Sequence, residues 1–167
     1  NLAKITKKRG FKTYDEYWDI NLAKKIKSKY RNIDLIYSAN TLSHIANLDS
    51  VFKSINYLLS DDGILIIEDP SLLECLKRVA YDQFYNEHIY VFSLLSIMNI
   101  IKKHNLQVFK VEKLKTHGGS IRYFIKKKVN LKIKIHNSVK KHLQDELKYK
   151  MNNFKTYIKF RNKVKKS

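Results

Sequence analysis

Asp34-Leu35-Ile36-Tyr37-Ser38-Ala39-Asn40 and Gly63-Ile64-Leu65-Ile66-Ile67-Glu68-Asp69-Pro70 decide how this chain is read. Each is a short apolar run closed by polar residues, the pattern of a strand buried on both faces, as parallel strands are. Between them, Leu48 to Leu59 places Val51, Ile55, Leu58 and Leu59 at helical spacing, with Asp49 near its start. Ser60-Asp61-Asp62-Gly63 reads as a turn, and Glu68, Asp69 and Pro70 as the break that ends the second strand.

Working outward, Lys4 to Arg9 is a basic helical stretch ending at Gly10, Phe11 to Tyr14 a short strand and Asp19 to Lys29 a helix. Ser71 can cap a helix running to about Tyr81, and Leu94 to Lys103 is another. The period then changes. Val108 to Leu114 and Ile121 to Ile125 read as strands, antiparallel because their connection is short. From about His136 to Val164 the chain reads as helical, with Val139, Leu143, Leu147, Met151, Phe154 and Ile158 forming a stripe at spacings of three and four. That order is the order of an α/β domain.

Composition bounds the function. A chain of 167 residues with 44% hydrophobic residues holds an ordinary core, and no run is long enough to span a membrane. The single Cys75 excludes an intrachain disulfide and a cysteine-rich zinc site within this chain. The net charge of +19 suggests a polyanion partner, but it is almost all lysine; the arginines are only Arg9, Arg31, Arg78, Arg122 and Arg161. Arg, not Lys, reads bases bidentately and stacks on them, so nucleic acid is not the expected partner, nor is a membrane. A phosphate-bearing small substrate uses the same charge.

Two motifs concentrate chemistry. Tyr85-Asn86-Glu87-His88 puts a phenol, a carboxylate and an imidazole within four residues, and His117-Gly118-Gly119-Ser120, with Arg122 just beyond, spends two of the chain's four glycines. An imidazole suits proton removal near neutral pH, and hydroxyl and N–H groups can hold the negative charge that results. Taken singly, each has a plainer reading. His44 can be a capping residue, the glycine pair a hairpin turn and Tyr85 to His88 a helix edge.

The stretch from Asp34 to Pro70 is similar to the fourth and fifth strand region of class I S-adenosylmethionine-dependent methyltransferases. More specifically, Ala39-Asn40-Thr41-Leu42-Ser43-His44, Gln83-Phe84-Tyr85-Asn86-Glu87-His88 and Thr116-His117-Gly118-Gly119-Ser120-Ile121-Arg122 resemble the C-methyltransferases that act on nucleotide-linked deoxysugars. The resemblance covers about Gly10 to Lys127 and continues weakly to the C-terminus. It implies a partial Rossmann-like sheet ending in an antiparallel pair, with a helical C-terminal segment. It also implies methyl transfer to a carbon beside a keto group, through an enolate. His88 matches the base, with Glu87 tuning it, Tyr85 bonding the enolate oxygen and His44 at the same pocket. His117, Gly118, Gly119 and Ser120 would close the substrate wall, and Arg122 would meet a phosphate. Asn40, Glu16 and Tyr17 fall where the superfamily contacts its cofactor.

There are also departures. Asn86 stands where the family usually has His. Gly10, Gly63, Gly118 and Gly119 cannot form the glycine-rich loop after a first strand, and the acidic ribose-binding residue is missing. The expectation is an internal piece of a longer cytoplasmic enzyme. Residues 1–130 are then a partial methyltransferase domain with an incomplete S-adenosylmethionine pocket, and 131–167 the helical start of a C-terminal region. Zinc is expected only in an N-terminal domain outside this chain. A basic nucleic-acid-binding module and a non-catalytic scaffold are the readings from other classes.

Overall fold

A computed structural model describes residues 2–167, apart from the side chain of His117. Helix α1 (Leu2–Lys8) and α2 (Ile20–Tyr30) precede β1 (Ile33–Ala39), α3 (Leu48–Leu58), β2 (Leu59–Pro70), α4 (Leu72–Arg78) and α5 (Leu94–Lys102). Strands β3 (Leu106–Leu114) and β4 (Ser120–Lys127) follow, then α6 (Asn137–Lys148) and α7 (Phe154–Val164). The polar residues that precede the helices cap them. Asp19 accepts from the N–H groups of Asn21 and Leu22 at 2.9 Å each, Asn47 accepts from Ser50 at 3.0 Å, and Ser93 and Ser96 form a reciprocal box.

The sheet order is β1-β2-β4-β3. β1 and β2 are parallel, with Ile36 opposite Leu65, and β2–β4 and β4–β3 are antiparallel. The open α/β sheet ending in an antiparallel pair is the expected fold class. Leu65, Ile67, Tyr123, Ile125 and Val108 share one face and pack under α3 and α5 with Phe52, Leu94 and Ile97. Burial of such side chains stabilises by roughly 1.5–3 kcal/mol each.

Several sequence readings are corrected. β1 is not buried on both faces: Leu35 and Tyr37 are 58% and 56% exposed. β1 is the sheet's edge, and these two side chains share the face away from the α3–α5 layer. Phe11 to Tyr14 forms no strand. Ser60 to Gly63 is not a turn, because β2 begins at Leu59 and absorbs the irregularity as a register shift between Ile33 and Leu35. Glu68, Asp69 and Pro70 do not end the strand either; they pair with Arg122, Ile121 and Ser120. α4 ends at Arg78, short of Tyr81, because Val79 turns left-handed. The C-terminal helical segment is divided into two helices, α6 and α7. Lys150 adopts a φ of 57°, and Tyr149 to Asn153 turn the chain, so Leu147 and Phe154 of the apolar stripe face solvent.

α6 is fastened to the sheet layer by a buried carboxylate. Glu146 is 3% exposed and accepts from the N–H of Leu94 at 2.7 Å and of Leu95 at 3.1 Å. A helix N-terminus leaves such donors orphaned and favours negative charge, and Glu146 supplies both needs from 52 and 51 residues away.

Candidate active site at the carboxyl ends of the parallel strands

Because β1 and β2 are parallel, their carboxyl ends meet at one rim, where open α/β sheets bind ligands. The N–H of Asn40 donates to the Glu68 carbonyl at 2.7 Å, and Asn40 turns the chain with a φ of 48°. The tight turn Leu42–His44 then folds over the end of β2. A second segment, from Tyr81 to Phe92, lies against it. The Tyr90 N–H donates to the Ser43 carbonyl at 3.1 Å and the Tyr90 hydroxyl to the Ala46 carbonyl at 2.9 Å.

This brings together residues far apart in sequence. His44 and His88 have ring centroids 4.8 Å apart, and the Tyr85 ring lies 4.0 Å from that of His88, tilted by 35°. His88 Nδ1 lies 2.8 Å from the Gln83 carbonyl, and His44 Nδ1 lies 2.8 Å from the Glu87 carbonyl. A carbonyl only accepts, so in the neutral rings Nδ1 carries the proton and Nε2 the lone pair. His88 Nε2 in turn accepts from the Tyr85 hydroxyl at 2.8 Å. A basic nitrogen and a movable phenol donor therefore share one exposed spot, the arrangement that removes a proton and supports the charge left behind.

Beneath them lies a residue that the sequence reading took only for a strand breaker. Asp69 is fully buried at the end of β2, and burial raises its carboxyl to about 6. Ser43, His44 and His88 pull in the opposite direction. Ser43 is one of the polar groups beside it, yet its hydroxyl and both Asp69 oxygens are buried without a hydrogen bond of ordinary geometry. A buried unpaired carboxylate is costly, and such groups concentrate at functional sites. The Tyr123 hydroxyl, also buried without a partner, is pushed well up by burial, with Glu146 and Asp69 adding to the shift. A polar pair, Glu68-Asp69, inside an apolar strand was the available signal for Asp69.

The other expected residues are placed as follows. Glu87 reaches His44 through its carbonyl, and its exposed carboxylate makes no hydrogen bond or ion pair among the described residues. Gly118 and Gly119 have φ of 75° and 123°, and a Cβ on Gly119 would lie 2.8 Å from that of Glu74. Gly119 also accepts from the Ser71 N–H at 3.1 Å, which joins the glycine turn to the start of α4. Ser120 is buried and donates to the Thr116 carbonyl at 3.2 Å. The side chain of His117 lies outside the described residues. Arg122 stands on the opposite face of the sheet from Asp69. It donates to Glu68 Oε2 at 2.8 and 3.1 Å and lies 3.6 Å from Glu112, and the Glu68 bond raises its basicity further. Glu16 pairs with Lys25 at 2.5 Å, and Tyr17 is 96% exposed.

A cavity of about 280 Å³ opens beside the cluster, next to the edge strand. Trp18, Ile36, Ala39, Leu42 and Ile45 make it apolar, while Ser38 and Thr41 add hydroxyls. A flat purine suits such a slot. Among the described residues no Asp, Glu or Gly lines it, so a ribose finds no carboxylate and an amino-acid end no close backbone cradle. The residues present fit one part of S-adenosylmethionine and not the rest. Among the described residues no group of three or more His, Cys, Asp or Glu is placed to hold a metal ion, and no helix is long and apolar enough to cross a membrane.

Comparison with known proteins gives the family and the fold. The family described as a methyltransferase domain matches residues 2–111, and that described as a C-methyltransferase C-terminal domain matches residues 115–167. The C-methyltransferase NovU of Streptomyces niveus is 32% identical over 124 residues, covering 74% of this chain and 30% of that protein. The chain thus spans 30% of that relative's length. An S-adenosylmethionine-dependent methyltransferase of Clostridium acetobutylicum superposes with a TM-score of 0.50 at 18% identity, over 74% of this chain and 68% of that one. Another, from Thermotoga maritima, gives 0.52 at 20% identity with the same coverage. These two show the fold. The first family match covers well over half of the chain, and the protein belongs to the S-adenosylmethionine-dependent methyltransferases, in the branch that carries a C-methyltransferase C-terminal domain.

Proposed function

We propose that this chain carries the substrate-activating residues of a C-methyltransferase that methylates the carbon beside a keto group of a nucleotide-linked sugar. The observation that supports it best is the hydrogen-bonded pair Tyr85–His88, packed on His44 over the buried Asp69. S-adenosylmethionine, when bound, supplies an electrophilic methyl group.

The chain's own residues do the rest. His88 Nε2 takes the proton from the carbon next to the ketone, and the electron pair moves into the enolate. The Tyr85 hydroxyl leaves Nε2 and donates to the enolate oxygen. Its net strength is that of one hydrogen bond, and it acts on charge that develops only as the proton leaves. The imidazolium formed at His88 is balanced by the Gln83 carbonyl at Nδ1 and, from below, by the ionised Asp69. His44, fixed by the Glu87 carbonyl, keeps the second imidazole against the first. Gly118, Gly119 and Ser120 form the wall beyond α4. Residues 131–167 are read as the start of the C-terminal region, and 1–130 as the partial catalytic domain.

NovU is described as a C-methyltransferase, which agrees with attack by carbon and not by oxygen or nitrogen. Exchange of the substrate C–H with deuterated water, followed without the methyl donor, tests the proton-abstraction step on the chain itself. Exchange that needs His88 supports the reading, and exchange indifferent to His88 overturns it.

A further inference from the structure

The β2–β4 register sets Tyr123 opposite Ile67 and Asp69 opposite Ile121. Opposed residues of an antiparallel pair share a face, and side chains alternate along each strand. Tyr123 and Asp69 therefore stand on one face of the sheet as diagonal neighbours. Such a diagonal is roughly 7–8 Å, within reach of an aromatic side chain. Both residues are fully buried, and neither the Tyr123 hydroxyl nor either Asp69 oxygen has a hydrogen-bond partner among the described residues. A donor and an acceptor that each lack a partner thus share one dry region of the interior, where an unmade hydrogen bond is costly.

Two carboxylates act on the phenol. Burial is the largest reason that it keeps its proton, and the charges of Glu146 and then Asp69 add to this. Glu146 is already engaged. Its Oε1 accepts from the Leu94 N–H and its Oε2 from the Leu95 N–H, and His142 Nε2 lies 3.4 Å from Oε1. Asp69 is not engaged in this way. Ser43, His44 and His88 face it from the rim, and Tyr123 from the inner side of the sheet. Its strand neighbour Glu68 points to the opposite face, where it accepts from Arg122 at 2.8 Å. A hydroxyl binds a carboxylate more strongly than it binds a carboxylic acid, so a donor beside Asp69 favours its ionised form.

We propose that Tyr123 is a positioning residue for proton abstraction: its hydroxyl donates to the ionised Asp69 and holds that charge beneath His88. The part in abstraction rests on the function proposed above. Tyr123 is fully buried and acts only through Asp69, which in turn balances the imidazolium formed at His88.

NMR of the chain with isotopically labelled aspartate carboxyl carbons, titrated between pH 4 and 8, tests it, with Asp69→Asn identifying the signal. In Tyr123→Phe, which keeps the buried ring, Asp69 should ionise about one pH unit higher than in the wild type, a tenfold loss of preference for the charged form. In the wild type, the labelled Tyr123 ring carbon that bears the hydroxyl should shift at the pH where Asp69 ionises, a readout that needs no variant. Glu146→Gln should not raise the Asp69 midpoint, because removal of a neighbouring negative charge favours ionisation. The acid limb of substrate C–H exchange should move up with Asp69 in Tyr123→Phe, with the plateau rate little changed. An Asp69 midpoint unmoved in Tyr123→Phe, no step at Tyr123, or an acid limb that stays in place while Asp69 moves would overturn the proposal. So would faster hydrogen exchange at the N-terminus of α5 in Tyr123→Phe with Asp69 unmoved, which assigns the hydroxyl to Glu146. The titrations use no substrate, so a wild-type chain that exchanges no substrate hydrogen contradicts only the catalytic reading.

Discussion

The Tyr85 hydroxyl lies 2.8 Å from His88 Nε2, so the phenol occupies the lone pair of the nitrogen best placed to act as base. Substrate must displace it, and the ketone oxygen is the acceptor to which it can turn. Tyr85→Phe should therefore slow exchange of the substrate C–H by about tenfold, the worth of one net hydrogen bond, without abolishing it. Complete loss in Tyr85→Phe would make the phenol, not the imidazole, the proton acceptor.

Asp69 makes a pH prediction. Its carboxyl is raised from 3.8 to about 6 in the folded state. A raised acid favours the fold when protonated, so its contribution is fully present below about pH 3.8 and is lost as pH rises through about 6. The difference corresponds to about 3 kcal/mol. Urea unfolding of the wild type and of Asp69→Asn between pH 4 and 8 should give stabilities that converge near pH 4, draw apart as pH rises to about 6 and stay apart above it, with the Asn variant the more stable there. Parallel curves would show that Asp69 is not held above its ordinary value.

Gly118 and Gly119 differ in what a methyl group would meet. Both have positive φ, but only at Gly119 would a Cβ approach Glu74 Cβ, at 2.8 Å. Gly118→Ala should cost about 1 kcal/mol, and Gly119→Ala about 2 kcal/mol or more, measured by chemical unfolding. Equal costs would mean that the loop relaxes away from α4.

Glu146 tests how the C-terminal helices are attached. Glu146→Ala removes the acceptor of two N–H groups, the buried one of Leu94 and the partly buried one of Leu95. A loss of about 2–4 kcal/mol in unfolding free energy is expected. Hydrogen exchange should show α5 opening at its N-terminus, whereas an unchanged α5 would place the attachment elsewhere.

The sequence made β1, α3, β2 and the final strand pair legible because their apolar periods are short and their ends polar. It also gave Tyr85, His88 and His44 through the resemblance, and the structure sets these three together. The break at Lys150 escaped because the stripe from Val139 to Ile158 keeps helical spacing across the turn. Asp69 escaped for a different reason. A charged pair at the end of an apolar run usually signals a strand end, and only the pairing of Asp69 with Ile121 shows that it continues inward. The spent state of Arg122 depended on Glu68 lying opposite it in the sheet, a register that composition does not contain.

Deuterium exchange at the carbon beside the ketone of a nucleotide-linked keto sugar, followed by NMR without any methyl donor, bears most directly on the central claim. The wild-type chain should exchange that hydrogen, and His88→Ala should lower the rate by about 100- to 10,000-fold, as loss of a general base does. Exchange by His88→Ala at the wild-type rate would contradict the assignment and move the base to another residue of the rim.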